Sequence, residues 1–313
     1  MNFDYLNNQK FLKIIKNNYF LKDYKIKIHD FELNFLQSRF LLNAKIFTHP
    51  FFFFQSSNWY IEKNFSKYWG EVIKFSTFSK QNIVVKSCGD INLNNGIHIG
   101  NNPILNLKNF SNNGDILNNV SSNLKKNIKR NINNFRKENL IVKLADCPEE
   151  IKQFYYLYSK IYVKKFKVPF NGFKLINDLL TCNSRIFIIK KNKKILGGAF
   201  FIMDKNIIHY IWGAYDNYKN INLTTILIFY IIEKKFKNFD YLNFGNTPLS
   251  NINLFNYKMS WGCENKKNFI YHTINKNSSF SVDNSEIIKK LYSSLNPKFI
   301  SNVMPLIHKA FVF

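Results

Sequence analysis

The chain has 313 residues, 46% of them hydrophobic, and its 45 Lys and Arg against 20 Asp and Glu give a formal net charge of +25. A hydrophobic content this high fills a large core, which excludes global disorder and fits two domains or one large one. The four cysteines are scattered without a Cys-x-x-Cys pair, which excludes a disulfide scaffold and a cysteine zinc knuckle.

Residues 1 to 113 are rich in aromatic side chains and irregular in pattern. No basic segment followed by an apolar one opens the chain, so we predict no secretory signal and a cytoplasmic protein. We predict a helix over 58–68 and strands over 72–78 and 82–87. The turn-forming sequence Ser111-Asn112-Asn113-Gly114-Asp115 predicts a boundary at this point of the chain.

Apolar residues recur at helical spacing from Val120 to Phe135, which predicts a helix. The basic residues on its other faces have two interpretations, a solvated surface or a surface that binds phosphates. The net charge of the whole chain has the same two interpretations. The chain contains 41 Lys and 48 Asn, which indicates compositional drift of the whole sequence. It contains only 4 Arg, although arginine is the residue expected at bidentate phosphate contacts. The basic residues of this helix are Lys125, Lys126, Lys129, Arg130, Arg136 and Lys137.

The remaining elements follow in the order strand, helix, helix, three antiparallel strands, helix, strand, helix, strand. The first of these helices opens with Pro148, a residue favoured in the first turn. The longest apolar run, Ile221 to Ile232, is shorter than the roughly 20 residues of a membrane span, so we predict no such span. The predicted ranges are strands at 141–144, 185–190, 195–203, 207–213, 241–244 and 268–273, and helices at 148–162, 172–180, 219–237 and 251–259.

A meander followed by a crossover helix requires a mixed sheet, since the crossover places the next strand parallel to a neighbour. We therefore predict that the strands near 207–213 and 240–244 are parallel and adjacent. This order of elements resembles the Gcn5-related N-acetyltransferase (GNAT) fold, in which two central parallel strands splay apart and pair with the amide chain of the donor. The resemblance implies an α/β (α+β) fold with a mixed sheet and flanking helices, one of which begins near Lys219 and faces a phosphate.

Four short motifs resemble those of Fem-type acyltransferases, the group that includes the peptidoglycan aminoacyltransferases and their surface-polysaccharide relatives. The motif from Leu254 to Gly262 is similar to the group's Phe-Lys-x-x-(aromatic)-Gly box, with two residues inserted between Phe255 and Lys258. The other three motifs lie at 124–130, 210–214 and 239–245.

Proteins of this group often carry two GNAT-like halves, and the resemblance therefore implies a division of the chain into three parts. We expect a degenerate GNAT-like lobe over 1–113, an acyltransferase domain over 114–275 and a helical tail over 276–313.

The resemblance also bears on the acyl donor, which carries phosphates. Acetyl-CoA enzymes of this fold bind pyrophosphate with a glycine-rich loop, but the corresponding residues here, Asp216 to Asn222, contain no glycine. Asparagine tolerates positive φ, so these residues could still form a loop that binds phosphate. Acyl-CoA, an acyl carrier and aminoacyl-tRNA therefore all stay open as donors that act as co-substrates, with no tightly bound cofactor. The residues implied for donor binding are Tyr210, Asn217, Lys219, Asn220, Lys126, Lys129 and Arg130.

Acyl transfer to an amine passes through a tetrahedral oxyanion, which a cation stabilises, and a base must accept the amine's proton. The resemblance places the group's catalytic lysine at Lys258, whose side chain we expect to be exposed. Asp240 is a candidate base and Tyr215 a candidate proton donor to the leaving group. The residues expected to contact substrate are Gly245, Asn246 and Thr247, which follow a strand of the predicted sheet, together with Tyr257 and Trp261.

We therefore expect an acyltransferase that moves an acyl or aminoacyl group to an amine of a cell-wall, surface-glycan or small-metabolite acceptor. Two alternatives stay open, a non-catalytic tRNA-binding protein and a catalytically inactive scaffold. No set of residues has metal-ligand spacing, so no metal site is predicted.

Overall fold

A computed structural model describes eleven stretches of the chain, which contain eight α-helices and twelve β-strands. The predicted helical tail over 276–313 lies outside these stretches, as does most of the predicted helix over 58–68. The described residues are 9–19, 22–28, 31–40, 43–47, 65–79, 82–88, 96–110, 115–166, 172–204, 206–235 and 239–273.

The described residues of the first part of the chain contain two helices and five strands. The predicted strand over 82–87 is confirmed, but the strand predicted over 72–78 is wrong, because these residues belong to a helix. Trp69, Val72 and Ser76 are buried at spacings of three and four, which is the period of a helix and not of a strand. The elements are α1 (Gln9–Tyr19), β1 (Lys22–Ile28), β2 (Phe31–Phe40), β3 (Asn43–Phe47), α2 (Phe65–Ser79), β4 (Asn82–Cys88) and β5 (Ile97–Asn106).

The second part contains six helices and seven strands, and its predicted order of elements is confirmed. The helix α4 begins after Ser121, whose hydroxyl accepts a hydrogen bond from the Leu124 amide at 3.4 Å. The elements are α3 (Asp115–Asn119), α4 (Ser122–Lys137), β6 (Ile141–Leu144), α5 (Pro148–Ile161), α6 (Phe173–Leu180), β7 (Ser184–Lys191), β8 (Lys194–Asp204), β9 (Ile207–Tyr215), α7 (Leu223–Tyr230), β10 (Tyr241–Asn243), β11 (Thr247–Pro248), α8 (Ile252–Met259) and β12 (Glu264–His272).

The helix predicted over 219–237 begins later than expected. Lys219 and Asn220 have φ values of 45° and 57°, which a right-handed helix does not include. Asn222 is the N-cap, and its side chain accepts a hydrogen bond from the Thr225 amide at 3.0 Å. The eight residues of α7 continue into a π-type segment. Within the described stretches, no helix has the length and apolar content that crossing a bilayer requires.

All twelve strands belong to one mixed sheet, in which β9 and β10 are parallel and adjacent as predicted. They pair only over Ile207–His209 and Tyr241–Asn243. Beyond that point β9 continues along β8 to Tyr215, whereas the chain after β10 follows β5, with the Phe244 amide donating to Pro103 O at 3.0 Å. We call the resulting gap between the carboxyl ends of β9 and β10 the splay. The strand order is β1-β2-β3-β4-β12-β5-β10-β9-β8-β7-β6, and β11 pairs with β5.

The strand β12 lies between β4 and β5 and is antiparallel to both. The strands β4 and β5 precede residue 113, and β12 follows it, so the sheet crosses the predicted boundary between the lobes. The division of the chain at that boundary stays a prediction.

A hydrophobic layer covers each face of the sheet around β7, β8 and β9. One layer contains side chains of α1, α5 and α6, including Phe11 and Phe154. The other contains side chains of α4, α7 and α8, including Ile128. Successive residues of β8 alternate between them, with Phe200 in the first layer and Phe201 in the second. The splay therefore opens between two packed layers.

Candidate active site

Lys258 lies on α8 with its side chain buried against the chain that leaves β10. The helix begins after Asn251, whose side chain accepts a hydrogen bond from the Leu254 amide at 3.1 Å. Lys258 Nζ donates to Gly245 O at 3.0 Å and to Asn246 O at 3.4 Å. Only 7% of the residue is exposed, so the expectation of an exposed lysine is wrong.

The environment of Lys258 favours its neutral form more than water does. Burial lowers the pKa of Lys258 to about 7, with Cys263 acting in the opposite direction. Burial raises the pKa of the Cys263 thiol, which is therefore uncharged at neutral pH. Among the described residues, the hydrogen-bond acceptors of Nζ are two carbonyl oxygens and no carboxylate. Both the ammonium and the amine are populated near neutral pH, which is a range suited to proton chemistry.

Gly245 and Asn246 form a turn that connects the end of β10 to Thr247, the first residue of β11. Gly245 has a φ of 76°, a left-handed value that favours glycine, and its amide donates to Asn243 Oδ1 at 2.8 Å. Asn246 Oδ1 accepts a hydrogen bond from Asn268 Nδ2 at 2.7 Å. Thr247 pairs with β5 and is fully buried, and its hydroxyl has no hydrogen-bond partner among the residues described.

Tyr210 and Tyr215 lie on β9 where it borders the splay, with their hydroxyl oxygens 3.3 Å apart. Gly213 lies between them, and a Cβ added there would clash with the Tyr210 hydroxyl and come within 2.8 Å of the Tyr215 ring. Burial raises the pKa of Tyr210 and of Tyr215. Both phenols are therefore neutral at physiological pH, where they act as hydrogen-bond donors and not as bases.

Tyr257 and Trp261 connect α8 to its neighbours. The Tyr257 hydroxyl is 3.2 Å from Thr225 Oγ1 on α7, and burial raises the pKa of Tyr257. The fully buried indole of Trp261 packs edge-on against Tyr257, with ring centroids 6.4 Å apart. It also packs against Phe244, with centroids 6.3 Å apart and the ring planes tilted by 34°. These aromatic contacts fix α8, and with it Lys258, against the carboxyl end of β10.

The turn from β9 to α7 holds Asn217, Lys219 and Asn220, which were predicted to bind the donor. Lys219 Nζ forms an ion pair with the Glu138 carboxylate at 2.7 Å. Asn217 and Asn220 are exposed. The predicted phosphate contact of Lys219 thus competes with an existing ion pair.

The basic residues of α4 face solvent on the side of the helix away from the sheet. Lys126, Lys129 and Arg130 are exposed, and within the described part of the chain none of the three forms an ion pair. Arg130 donates to Asn127 Oδ1 at 3.1 Å. By their helical spacing the six basic residues of α4, from Lys125 to Lys137, all lie on one face of the helix, and we call this face the α4 basic stripe.

Asp240 lies at the opposite end of β10 from Lys258. It accepts a hydrogen bond from Asn206 Nδ2 at 2.8 Å and pairs with Lys108 at 3.2 Å. The Asn206 hydrogen bond and, with it, Lys108 lower the pKa of Asp240. A carboxylate held in this way at the amino end of the strand is separated from the splay, so the structure does not bring Asp240 together with Lys258.

The possible metal-ligating atoms of Asp146, Cys147 and Glu150 lie within 4.8 Å of one another, which is close enough for them to bind one ion. Two ammonium groups already neutralise the two carboxylates of this set, since Lys190 and Lys143 lie 2.7 Å and 3.1 Å from Glu150, and Lys143 lies 2.9 Å from Asp146. Burial raises the pKa of Glu150, but the hydrogen bonds from these lysines outweigh it and lower the pKa to about 2. The lysines supply the positive charge that a cation would bring.

No family model matches the chain, and no curated protein matches its sequence. Solved structures are similar to it, among them FemX, with a TM-score of 0.60 and 10% identity over 84% of this chain and 90% of that one. L-PGS from Bacillus licheniformis gives a TM-score of 0.59 and 11% identity over 92% of this chain and 98% of that one. The C-terminal domain of a protein described as a lysylphosphatidylglycerol synthetase, from Agrobacterium fabrum, gives 0.57 and 8% over 86% and 89%.

The fold is the Fem-type, GNAT-like fold. Within this Fem-type fold, the structure brings Lys258 together with the Gly245 turn, Tyr257 and Trp261 at the carboxyl end of β10. It places Tyr210 and Tyr215 on the facing strand.

Sequence reasoning missed three residues that shape this region. Asn131 on α4 is buried and accepts a 2.7 Å hydrogen bond from the Asn222 amide. Thr225 bonds to Tyr257, and Glu138 bonds to the β9–α7 turn. The signal for Asn131 was a polar residue within the apolar face of α4. The other two give no local pattern, because their partners are distant in sequence.

Proposed function

We propose that this protein is an acyltransferase that moves an acyl or aminoacyl group from an activated donor to an amine. The Fem-type fold supports this class of reaction. The observation that carries the proposal is the buried ammonium of Lys258 at the edge where β9 and β10 separate. In open sheets with parallel strands, ligands bind in the crevice at the carboxyl ends of the strands.

The role of Lys258 is to stabilise the oxyanion. The acceptor nitrogen attacks the donor carbonyl carbon, and the carbonyl oxygen becomes negative in the tetrahedral intermediate. The two carbonyl acceptors of Lys258 hold its ammonium in place and leave one of its three hydrogens for a further acceptor. An ammonium that is already desolvated interacts more strongly with a developing charge than one in water.

Collapse of the intermediate breaks the bond between the carbonyl carbon and the leaving oxygen or sulfur. The leaving atom takes a proton from a side chain, and the attacking nitrogen loses one, which returns to that same side chain and restores it. Tyr215 is the proposed donor of the first proton, because its phenol is neutral and hydrogen-bonded to Tyr210. Asp240 has no part in this proposal, since its carboxylate lies at the other end of β10.

The proposed donor is an aminoacyl-tRNA, whose phosphates contact the α4 basic stripe. Several exposed cations on one helix, without acidic partners in the described structure, match a polyanion better than a single phosphate. The acceptor is an amine of a cell-wall, surface-glycan or small-metabolite molecule. Gly245, Asn246 and Tyr257 line its path, while the buried Thr247 and Trp261 support them from behind.

The test is a single-turnover assay with aminoacyl-tRNA as donor and hydroxylamine as a generic amine acceptor, measured above the uncatalysed rate. Lys258→Ala should lower the rate by about 10²–10³. Because Lys258 is buried, this variant can also lose stability, so the assay includes methylamine, which fills the space of the missing ammonium. Because methylamine can itself accept the acyl group, the measured product is the hydroxamate, and restoration of hydroxamate formation by methylamine supports catalysis by Lys258. A wild-type rate in Lys258→Ala contradicts it, and tRNA binding with no transfer by the wild type supports a binding protein instead.

A further inference from the structure

The turn between β9 and α7 is closed by hydrogen bonds within the protein. The Ile221 amide donates to Tyr218 O at 2.8 Å across the left-handed residues Lys219 and Asn220. The next amide, of Asn222, donates to Asn131 Oδ1 at 2.7 Å. Two backbone donors at the carboxyl end of β9 are thus already engaged, at the place where an anion-binding loop needs them.

Glu138 ties this turn to the end of α4. It is the C-cap residue of that helix, and its carboxylate accepts hydrogen bonds from Lys219 Nζ at 2.7 Å, Lys191 Nζ at 2.9 Å and the Tyr218 hydroxyl at 2.9 Å. Lys219 first, then Lys191 and Tyr218, lower the pKa of Glu138 to about 2. The carboxylate is therefore ionised at neutral pH and engages Lys219 of the turn and Lys191 of β7, the two cations that a phosphate at the turn would otherwise contact.

We propose that Glu138 is a specificity-determining residue that keeps nucleotide pyrophosphates, such as that of coenzyme A, off the β9–α7 turn. A pyrophosphate bound here displaces Glu138 from two lysines and then faces a like charge at short range, which opposes binding. The absence of glycine from the turn agrees with this, because a turn that binds no phosphate has no need for bare backbone.

The inference rests on the proposed function, because it states which class of acyl donor is kept from binding beside the splay. It assigns opposite roles to the α4 basic stripe and to the lysines at the β9–α7 turn. The cations of the α4 basic stripe form no ion pair in the described structure and can contact a polyanion, whereas Lys219 of the turn and Lys191 beside it are neutralised by Glu138.

Calorimetric titration of the full chain with coenzyme A and with inorganic pyrophosphate, at fixed ionic strength, tests the inference. Glu138→Gln keeps the size of the side chain and removes its charge, and it should raise the affinity for both probes about tenfold or more over wild type. Glu150→Gln is the matched control, because Glu150 is also bound by two lysines but lies on α5, on the other face of the sheet. It should change the affinity less than about twofold.

A double variant, Glu138→Gln with Lys219→Met, should lose a large part of this gain, because Lys219 is then no longer available to the phosphate and only Lys191 is released. The inference is overturned if wild type binds coenzyme A as tightly as Glu138→Gln, or if Glu150→Gln gains as much. Thermal unfolding confirms that all variants are folded. The readout is binding and not transfer, so a chain that transfers no acyl group contradicts the proposed function without changing this result.

Discussion

The ammonium nitrogen of Lys258 and the carbonyl oxygen of Gly245 are 3.0 Å apart, and this hydrogen bond joins α8 to the residue at which the chain leaves β10. The same side chain is the proposed oxyanion ligand. The buried charge lowers the stability of the folded protein but is needed for catalysis. Protonation of Lys258 should therefore decrease stability and increase the rate of transfer.

The free energy of unfolding should therefore rise with pH in a way that depends on Lys258. The pKa of Lys258 is about 7 in the folded protein and about 10.4 in an unfolded chain. Between these values the unfolded state binds a proton that the folded state lacks, so stability increases with pH by up to about 1.4 kcal/mol per unit. Below about pH 7 the contribution is constant. Denaturant unfolding of wild type and Lys258→Met from pH 6 to 10 measures it, and parallel curves for the two proteins would contradict it.

The rate of acyl transfer should show the opposite trend. An oxyanion ligand must be protonated, so the single-turnover rate should fall as pH rises through about 7, the pKa of Lys258. Because the acceptor hydroxylamine also titrates below neutral pH, each rate is divided by the fraction of hydroxylamine that is unprotonated. A rate that rises through the same range would assign Lys258 to the role of base.

The affinity for tRNA should depend steeply on salt if the α4 basic stripe binds phosphates. Replacing Lys125, Lys126, Lys129 and Arg130 by Gln should lower the slope of log K against log salt by about 0.7–0.9 for each phosphate that is no longer neutralised. The control replaces four exposed lysines elsewhere, Lys152 and Lys160 on α5 with Lys266 and Lys267 on β12. Equal changes in the two quadruple variants would show that the charge acts only as a general field.

Gly213→Ala should impair transfer, because the added Cβ displaces the Tyr210 hydroxyl from its place beside Tyr215. We expect a loss of rate larger than the loss of stability. Gly70→Ala on α2 is a useful comparison, since nothing lies within 4 Å of the new Cβ. It should stabilise the protein by about 0.5–1 kcal/mol. Thermal unfolding of both variants, with the hydroxylamine assay, separates the two effects, and an unchanged rate for Gly213→Ala would argue against a role for the tyrosine pair.

Asn131→Ala should destabilise the protein by about 1–3 kcal/mol, because it leaves the Asn222 amide at the start of α7 without its acceptor. Asn133→Ala, at an exposed position of the same helix, should change stability by less than about 0.5 kcal/mol. Equal effects of the two substitutions in denaturant unfolding would show that the bond to Asn222 contributes little.

The sequence was sufficient to predict the mixed sheet, because the spacing of apolar residues and the need for a crossover before β10 leave few arrangements. It was insufficient for the strand predicted over 72–78, since Val72, Ile73 and Phe75 favour strands locally and only their packing in α2 determines the helix. The same limit applies to the site. A family-like motif identified Lys258, but its burial depends on Gly245 and Asn246, which the chain brings back from another element.

The position of β12 has a consequence for how the protein is made. This strand is the last of the described sheet to leave the ribosome, yet it lies between β4 and β5 and pairs with both. The edges of β4 and β5 that it will occupy are therefore unpaired from the synthesis of β5, which ends at Asn106, until β12 begins at Glu264, and exposed strand edges invite pairing with other chains. Nascent chains shorter than about residue 272 should need protection from aggregation, and folding should be completed by a contact between segments some 170 residues apart, such as Lys267 and Asn101.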